Sequence, residues 1–476
     1  MNTGMPAAAR NGAVAGLVGG LGSGVALAHT GLLTAMTLIP SPAVSLAVYL
    51  GSCVVLGVIF GALLRQTPTE PGQMIFWGLT YGTLWWYVGT LTLTPLLSGK
   101  PLGWGIGAAT AAVPALIADA VFGLLTAAVF AVLQRPPTAP DWRKSLPRSV
   151  AVLARGVSSG LTATAVLAAT LGTVFTSIAS NTTTLVVLGM TTGICFAVLY
   201  PHSQHATGPA AARGAALGFG IWIAGPVCLL PALNGTALPW AAGQLREVFP
   251  ALPACVLLGS AAAVAGTWLS GLRRLLFADP AERADEEGLG TRTARALVRG
   301  AAGGIAGGLV FTIIMAQIGY LGTVAQLAGS TRAGTGLVIH VLISITLGSS
   351  YGLFFRRQSD DLSSGIGWGI CWGFLWWFLG ALTLLPLWTG GAPQWTATAA
   401  AAAFPSLIGH IGYGAALGAV FHTLEARYSP WWMRDDIPST VRAQLSQHRS
   451  QLAGSAPGAW ASVILVTVTL IIVLPG

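Results

Sequence analysis

Charge is what this sequence has least of. Asp, Glu, Lys and Arg together make up 8% of its 476 residues, where a water-soluble domain carries about 25%. A chain so poor in charge cannot clothe a globule in water, which excludes an ordinary soluble fold. Paired cysteines are missing too. The five present (Cys53, Cys195, Cys228, Cys255 and Cys371) all lie inside apolar runs, and none forms a CxxC pair. Neither a disulfide framework nor a structural zinc site is therefore signalled, and the thiols read as small buried hydrophobes. No Walker motif, nucleophile elbow, pair of catalytic carboxylates or bis-histidine haem spacing occurs, so no enzyme class, cofactor or metal is indicated. No basic groove interleaved with aromatics appears, so nucleic acid is not an expected partner.

What is present is apolar: 54% hydrophobic residues and a mean hydropathy of +0.73. The apolar residues form many runs of about 20, the length that crosses a bilayer. Lipid offers the backbone no hydrogen-bond partners, so spans must be helices or a closed barrel. Continuous runs without strand-like alternation select helices. The net charge is +9, and bases such as Arg135, Arg143, Lys144, Arg148, Arg273 and Arg274 cluster in short connectors. That positive-inside distribution puts the N-terminus and these connectors in the cytoplasm. Arg10 followed by an apolar stretch and Ala26-Leu27-Ala28 imitates a cleavable signal peptide. The same Arg–Gly-rich opening recurs at Arg155 and Arg299, so the first run reads as a retained span.

Sliding residues 75–134 onto 366–425 without a gap gives 27 identities in 60 positions. The skeleton Trp77-Gly78, Gly82, Leu84-Trp85-Trp86, Gly89, Leu91-Thr92-Leu93, Pro95 and Gly99 meets Trp368-Gly369, Gly373, Leu375-Trp376-Trp377, Gly380, Leu382-Thr383-Leu384, Pro386 and Gly390. A worn copy between them keeps Gly214, Gly218, Trp222, Gly225, Pro231 and Gly235. The expected architecture is therefore an all-α polytopic membrane protein of three four-helix repeats, 1–149, 150–298 and 299–456, followed by a lone helix in 457–476. Expected spans are 12–36, 43–64, 74–97 and 106–133; 153–178, 182–200, 212–233 and 250–276; 300–324, 334–355, 366–388 and 398–424; and 459–475. Polar stretches 135–149, 277–298 and 426–456 read as linkers. Four is even, so the copies are parallel rather than inverted, and the thirteenth span carries the C-terminus outside.

Glycines at i, i+4, such as Gly16/Gly20/Gly24 and Gly365/Gly369/Gly373, clear one helix face for close packing. The doublets Trp85-Trp86 and Trp376-Trp377 lie mid-span, away from the interfacial belt; they pack against glycine faces or wall a pocket or lipid-tail groove. Pro95, Pro231 and Pro386 are expected to end or kink their helices and free a carbonyl about one turn earlier. Asp119 lies near the centre of a span, where a charged residue costs about 2.5–3.5 kcal/mol on insertion scales and marks a functional candidate. Under the repeat shifts it aligns with His410 and Cys255, a carboxylate, an imidazole and a thiol suited to proton relay or a soft metal if the three converge. His340 and His29 are the other deep histidines.

The segment Phe404-Pro405-Ser406-Leu407-Ile408-Gly409-His410-Ile411-Gly412-Tyr413-Gly414, with the Trp-rich span before it, resembles bacterial inner-membrane proteins of the YagU type. The resemblance covers about half of each unit, and the first two copies depart from it at the histidine. It implies a bacterial inner membrane and little about activity. Two functions fit the sequence. One is transport or permeation of an ion or small solute, with Asp119 and His410 handling protons. The other is a non-catalytic subunit or scaffold that binds lipid or other membrane subunits through glycine and aromatic faces.

Overall fold

The computed structural model describes residues 5–29, 32–37, 39–64, 71–134, 142–175, 182–200, 207–277, 289–355, 358, 361–428 and 455–475. Every regular element among them is a helix. Nine of these helices are long and apolar enough to cross a membrane, and Thr183–Leu199 and Val463–Val473 are shorter apolar ones. The chain is a multi-pass membrane protein whose helices meet lipid.

In order, α1 (Met5–His29), α2 (Leu32–Thr37), α3 (Pro42–Leu64) and α4 (Pro71–Trp85) lead through a π-helical stretch, Trp86–Leu93, into α5 (Thr94–Leu97), α6 (Ile106–Ala111) and α7 (Val113–Leu133). Next come α8 (Trp142–Phe175), α9 (Thr182–Leu199) and α10 (Thr207–Trp222). A second π stretch, Ile223–Leu229, precedes α11 (Leu230–Leu233), α12 (Ala242–Val248) and α13 (Ala251–Phe277). The last part holds α14 (Leu289–Gln317), α15 (Leu321–Ala325), α16 (Ala333–Phe355) and α17 (Leu362–Trp376). A third π stretch, Trp377–Leu384, is followed by α18 (Leu385–Trp388), α19 (Ala397–Ala402), α20 (Phe404–Tyr428) and α21 (Ser455–Val473). These elements form two compact units. One is Met1–Val150 with Gly220–Phe249 and Ala461–Gly476; the other is Ala151–Phe219 with Pro250–Trp460.

Within the first unit α1 packs on α3 and α7, and α4 on α7; within the second, α14 packs on α16 and α20, and α17 on α20. Glycine makes these approaches close. A Cβ on Gly78 would collide with the Gly123 carbonyl, and one on Gly123 with the Gly78 carbonyl. The pairs Gly369/Gly414 and Gly214/Gly259 are mutually blocked in the same way, as are Gly12/Gly57 and Gly300/Gly348. Backbone then touches backbone, which gives dispersion contacts in a solvent that supplies no hydrophobic drive between helices.

The prolines do not end their helices. Pro95, Pro231 and Pro386 sit in the first turn of α5, α11 and α18, each directly after a π stretch. A proline lacks an N–H and clashes with the carbonyl one turn back; the wider π turn makes room for the ring. The carbonyl released in this way is recaptured from the loop beyond. Leu91 O accepts from Gly103 N at 2.9 Å and Leu382 O from Gln394 N at 2.8 Å. Val227 O accepts from Trp240 Nε1 at 3.3 Å. Gly99, Gly235 and Gly390 turn the chain at φ +65°, +64° and +84°, which favours a residue without a Cβ.

Other boundaries differ from expectation. The expected span 12–36 falls on α1 and α2, and residues 30 and 31 between them lie outside the described residues. The spans expected from 106 and 398 start late, at Val113 and Phe404, after the short helices α6 and α19, whereas the one expected from 250 starts at Ala251. Pro114 and Pro405 lie in the opening turns of α7 and α20, where a missing N–H costs nothing. Helix α8 already begins at Trp142, inside the stretch expected as a linker, and carries a kink at Leu171.

Candidate functional site

The aromatic doublets split by burial. Trp86 and Trp377 are fully buried, whereas their neighbours Trp85 and Trp376 are half-buried. Trp86 Nε1 donates to Ala112 O at 2.9 Å, Trp222 Nε1 to Val248 O at 3.0 Å, and Trp377 Nε1 to Ala403 O at 3.3 Å. Each acceptor stands 26 residues on, just before its fourth span. These indoles therefore fasten a span start to a π stretch, which leaves Trp85 and Trp376 as the rings free to wall anything.

Asp119 is buried on α7, and its backbone carbonyl presses on Gly82 of α4. Cys255 meets Gly218 in the same manner, and His410 meets Gly373. The three candidates thus occupy equivalent places on their helices. Their surroundings differ. The Thr90 hydroxyl, in the π stretch, is the hydrogen-bond donor to the Asp119 carboxyl, and Tyr49 and Cys53 of α3 lie within its electrostatic reach. Ser23 Oγ donates to Gly19 O at 3.0 Å, so its other contact, 2.8 Å to Tyr49, is one in which the phenol donates. Among the described residues no cationic side chain pairs with Asp119.

In the second unit the ring of Phe311 stands against both His340 and His410, with centroid separations of 5.3 and 4.7 Å. His340 Nε2 donates to Gly308 O at 3.2 Å, and His410 Nδ1 to Ser406 O at 2.8 Å. A carbonyl only accepts, so in each imidazole the nitrogen facing the backbone carries a proton. The structure thus brings His340 and His410 together across an aromatic ring. Cys255 is a buried free thiol on α13. Asp119 lies in the first unit and the other two in the second. The side chain of His29 falls outside the described residues, and no group of three or more metal-ligating side chains occurs among those described.

Several polar residues escaped notice from sequence. Thr90 bonds the Asp119 carboxyl from 29 positions away, Tyr49 lies within its electrostatic reach from 70, and Ser23 bonds Tyr49; no periodicity announces such contacts. Gln73 is 3% exposed, and among the described residues neither its amide atoms nor the fully buried Thr126 hydroxyl has a partner. Trp104, Trp240 and Trp395 were detectable, because they align under the same shifts as the doublets; each donates its indole N–H to the preceding π stretch. No protein-family model matches the chain, and no curated protein or solved structure matches it either.

Proposed function

We propose that the chain is an integral membrane permeation protein for protons or a small monovalent cation, with Asp119 as the proton-handling group. The observation that carries this reading is a buried carboxyl, deep in an apolar bundle, bonded by the Thr90 hydroxyl, with Tyr49 and Cys53 within electrostatic reach and no cationic partner among the described residues. A purely structural carboxylate at that depth would be expected to find an Arg or Lys, since an unpaired charge in hydrocarbon is expensive. One acid among neutral oxygen donors repels anions and suits a proton. The recurring π–proline–glycine element fits a triplicated chain in a bacterial inner membrane, with the basic connectors cytoplasmic and the C-terminus outside. In the third copy the imidazoles His340 and His410 take the places of Tyr49 and Asp119.

The scaffold reading draws on glycine faces, but many of those glycines are already covered by helices of their own unit. Reconstitution into vesicles with an imposed pH gradient tests the proposal. Wild-type chain should relax the gradient measurably faster than empty vesicles, and Asp119→Asn should reduce that rate to the empty-vesicle level. Equal rates for Asp119→Asn and wild type would sink it.

A further inference from the structure

Four side chains mark depth along α7: Asp119, Thr126 and Phe130 on the helix, and Gln134 at its C-terminal cap. Gln134 stands at the helix end with its Nε2 unpartnered, near the end of α1 where Asn11 Nδ2 donates to Leu133 O at 3.4 Å. Gln73 of α4, buried and unpartnered at both amide atoms, neighbours Met74, which packs with Phe130. Among the described residues this end of the first unit is therefore polar and under-satisfied, and buried amides of that kind are sites for bridging water. Next comes a dry layer. Phe60 and Phe130 meet edge to face at 5.6 Å, and Met74, Ala15, Ala127 and Ala131 complete the cluster. Beyond it the unpartnered Thr126 hydroxyl lies against Gly19. Ser23 is one helical turn further along α1, bonded to Tyr49, which lies within electrostatic reach of Asp119.

We infer that protons reach Asp119 from the Asn11–Gln73–Gln134 end of the first unit, and that the Phe60–Phe130 layer is the gate on that route. Hydroxyls donate and accept at once, so Thr126 takes a proton on one side and releases another toward the Ser23–Tyr49 level. Asp119 cycles between carboxyl and carboxylate, and no co-reactant is required. The aromatic layer excludes water until it opens, as hydrophobic constrictions do in channels. The equivalent route in the second unit is blocked. Leu417 stands where Thr126 would be. At the helix end the Arg299–Glu425 ion pair, 2.6 Å, replaces Asn11 and Gln134. This inference deepens the reading of Asp119 given above and rests on it.

Its test follows the infrared carboxyl and carboxylate bands of Asp119 after a pH jump, in reconstituted full-length chain, with Asp119→Asn identifying the bands. Phe130→Ala should speed their response about tenfold or more and Thr126→Val should slow it about tenfold. Phe421→Ala, the matching change in the second unit, should leave the response at the wild-type rate. Because one variant accelerates, loss of folding cannot imitate the whole pattern. Unchanged rates in both Phe130→Ala and Thr126→Val, or acceleration by Phe421→Ala, would overturn the route. Shifted rates without any vesicle flux would uphold the route while removing the transport reading.

Discussion

Asp119, Cys255 and His410 show how much one side chain can change while its backbone stays put. Each presents its carbonyl to a glycine on the facing helix, so the packing holds with a carboxyl, a thiol or an imidazole at the position. Chemistry at these depths is then free to diverge. Residues at helix ends are more constrained. Asp361 caps α17: the Ser364 backbone N–H donates to its Oδ1 at 2.7 Å, and the Asp361 N–H donates to Ser364 Oγ at 3.3 Å, a reciprocal capping box. The Ser364 backbone bond, chiefly, holds the Asp361 pKa below its ordinary 3.8. A depressed folded-state pKa means that the cap stabilises fully above the unfolded value and fades as pH falls through the lower folded one. Asp361→Ala should therefore lower stability by about 0.5–2 kcal/mol near neutral pH. Wild type and variant should converge in acid below the carboxylate range. Thermal unfolding in detergent at several pH values measures this, and a pH-independent gap would show that the carboxylate is not the cap.

At the level of the element, the π stretch, the proline and the positive-φ glycine form one device that occurs three times. Thr383 Oγ1 donates to Phe378 O at 2.7 Å and accepts from Trp395 Nε1 at 2.9 Å; Thr92 does the same with Tyr87 O at 2.8 Å and Trp104 Nε1 at 3.2 Å. The i−5 reach of both hydroxyls follows from the wide turn. Environment separates the two, since Trp395 is 4% exposed and Trp104 is 58% exposed. Thr383→Val removes the acceptor of a buried indole and should cost about 1–3 kcal/mol, whereas water can replace the acceptor after Thr92→Val, at about 0.5 kcal/mol or less. Equal losses of thermal stability for the two variants would mean that burial does not set the value of this bond. The device was half legible. Trp, Gly and Pro at fixed spacing marked its position, and the freed carbonyl was foreseen from proline's missing N–H. The π turn and the loop donors that recapture the carbonyl were not, because both depend on where the chain returns in space.

Across the whole molecule, apolar length revealed the membrane class, since it is a property of contiguous sequence. The neighbours of Asp119 and the home of the last helix were hidden, because they depend on pairing between distant segments. Helix α21 belongs with the first unit from Ala461 onward. Thr469 Oγ1 gives its proton to Leu465 O, so its 2.5 Å contact with Tyr87 is one in which the phenol donates. Thr110 Oγ1 shares its proton between Ile106 O at 2.8 Å and Val473 O of α21 at 2.9 Å, and Val463, Val466 and Leu470 are buried. Tyr87 adjoins Trp86, and Thr110 lies two residues before its acceptor Ala112, so α21 braces both ends of the indole fastening in the first unit. Removing residues 455–476 should loosen that fastening, with a loss of about 0.5–1.5 kcal/mol for each hydrogen bond. Hydrogen exchange should then quicken in 86–93 and 106–112, while the matching segments 377–384 and 397–402 of the second unit keep their protection. Unaltered protection throughout the first unit would mean that α21 rides on the bundle without holding it.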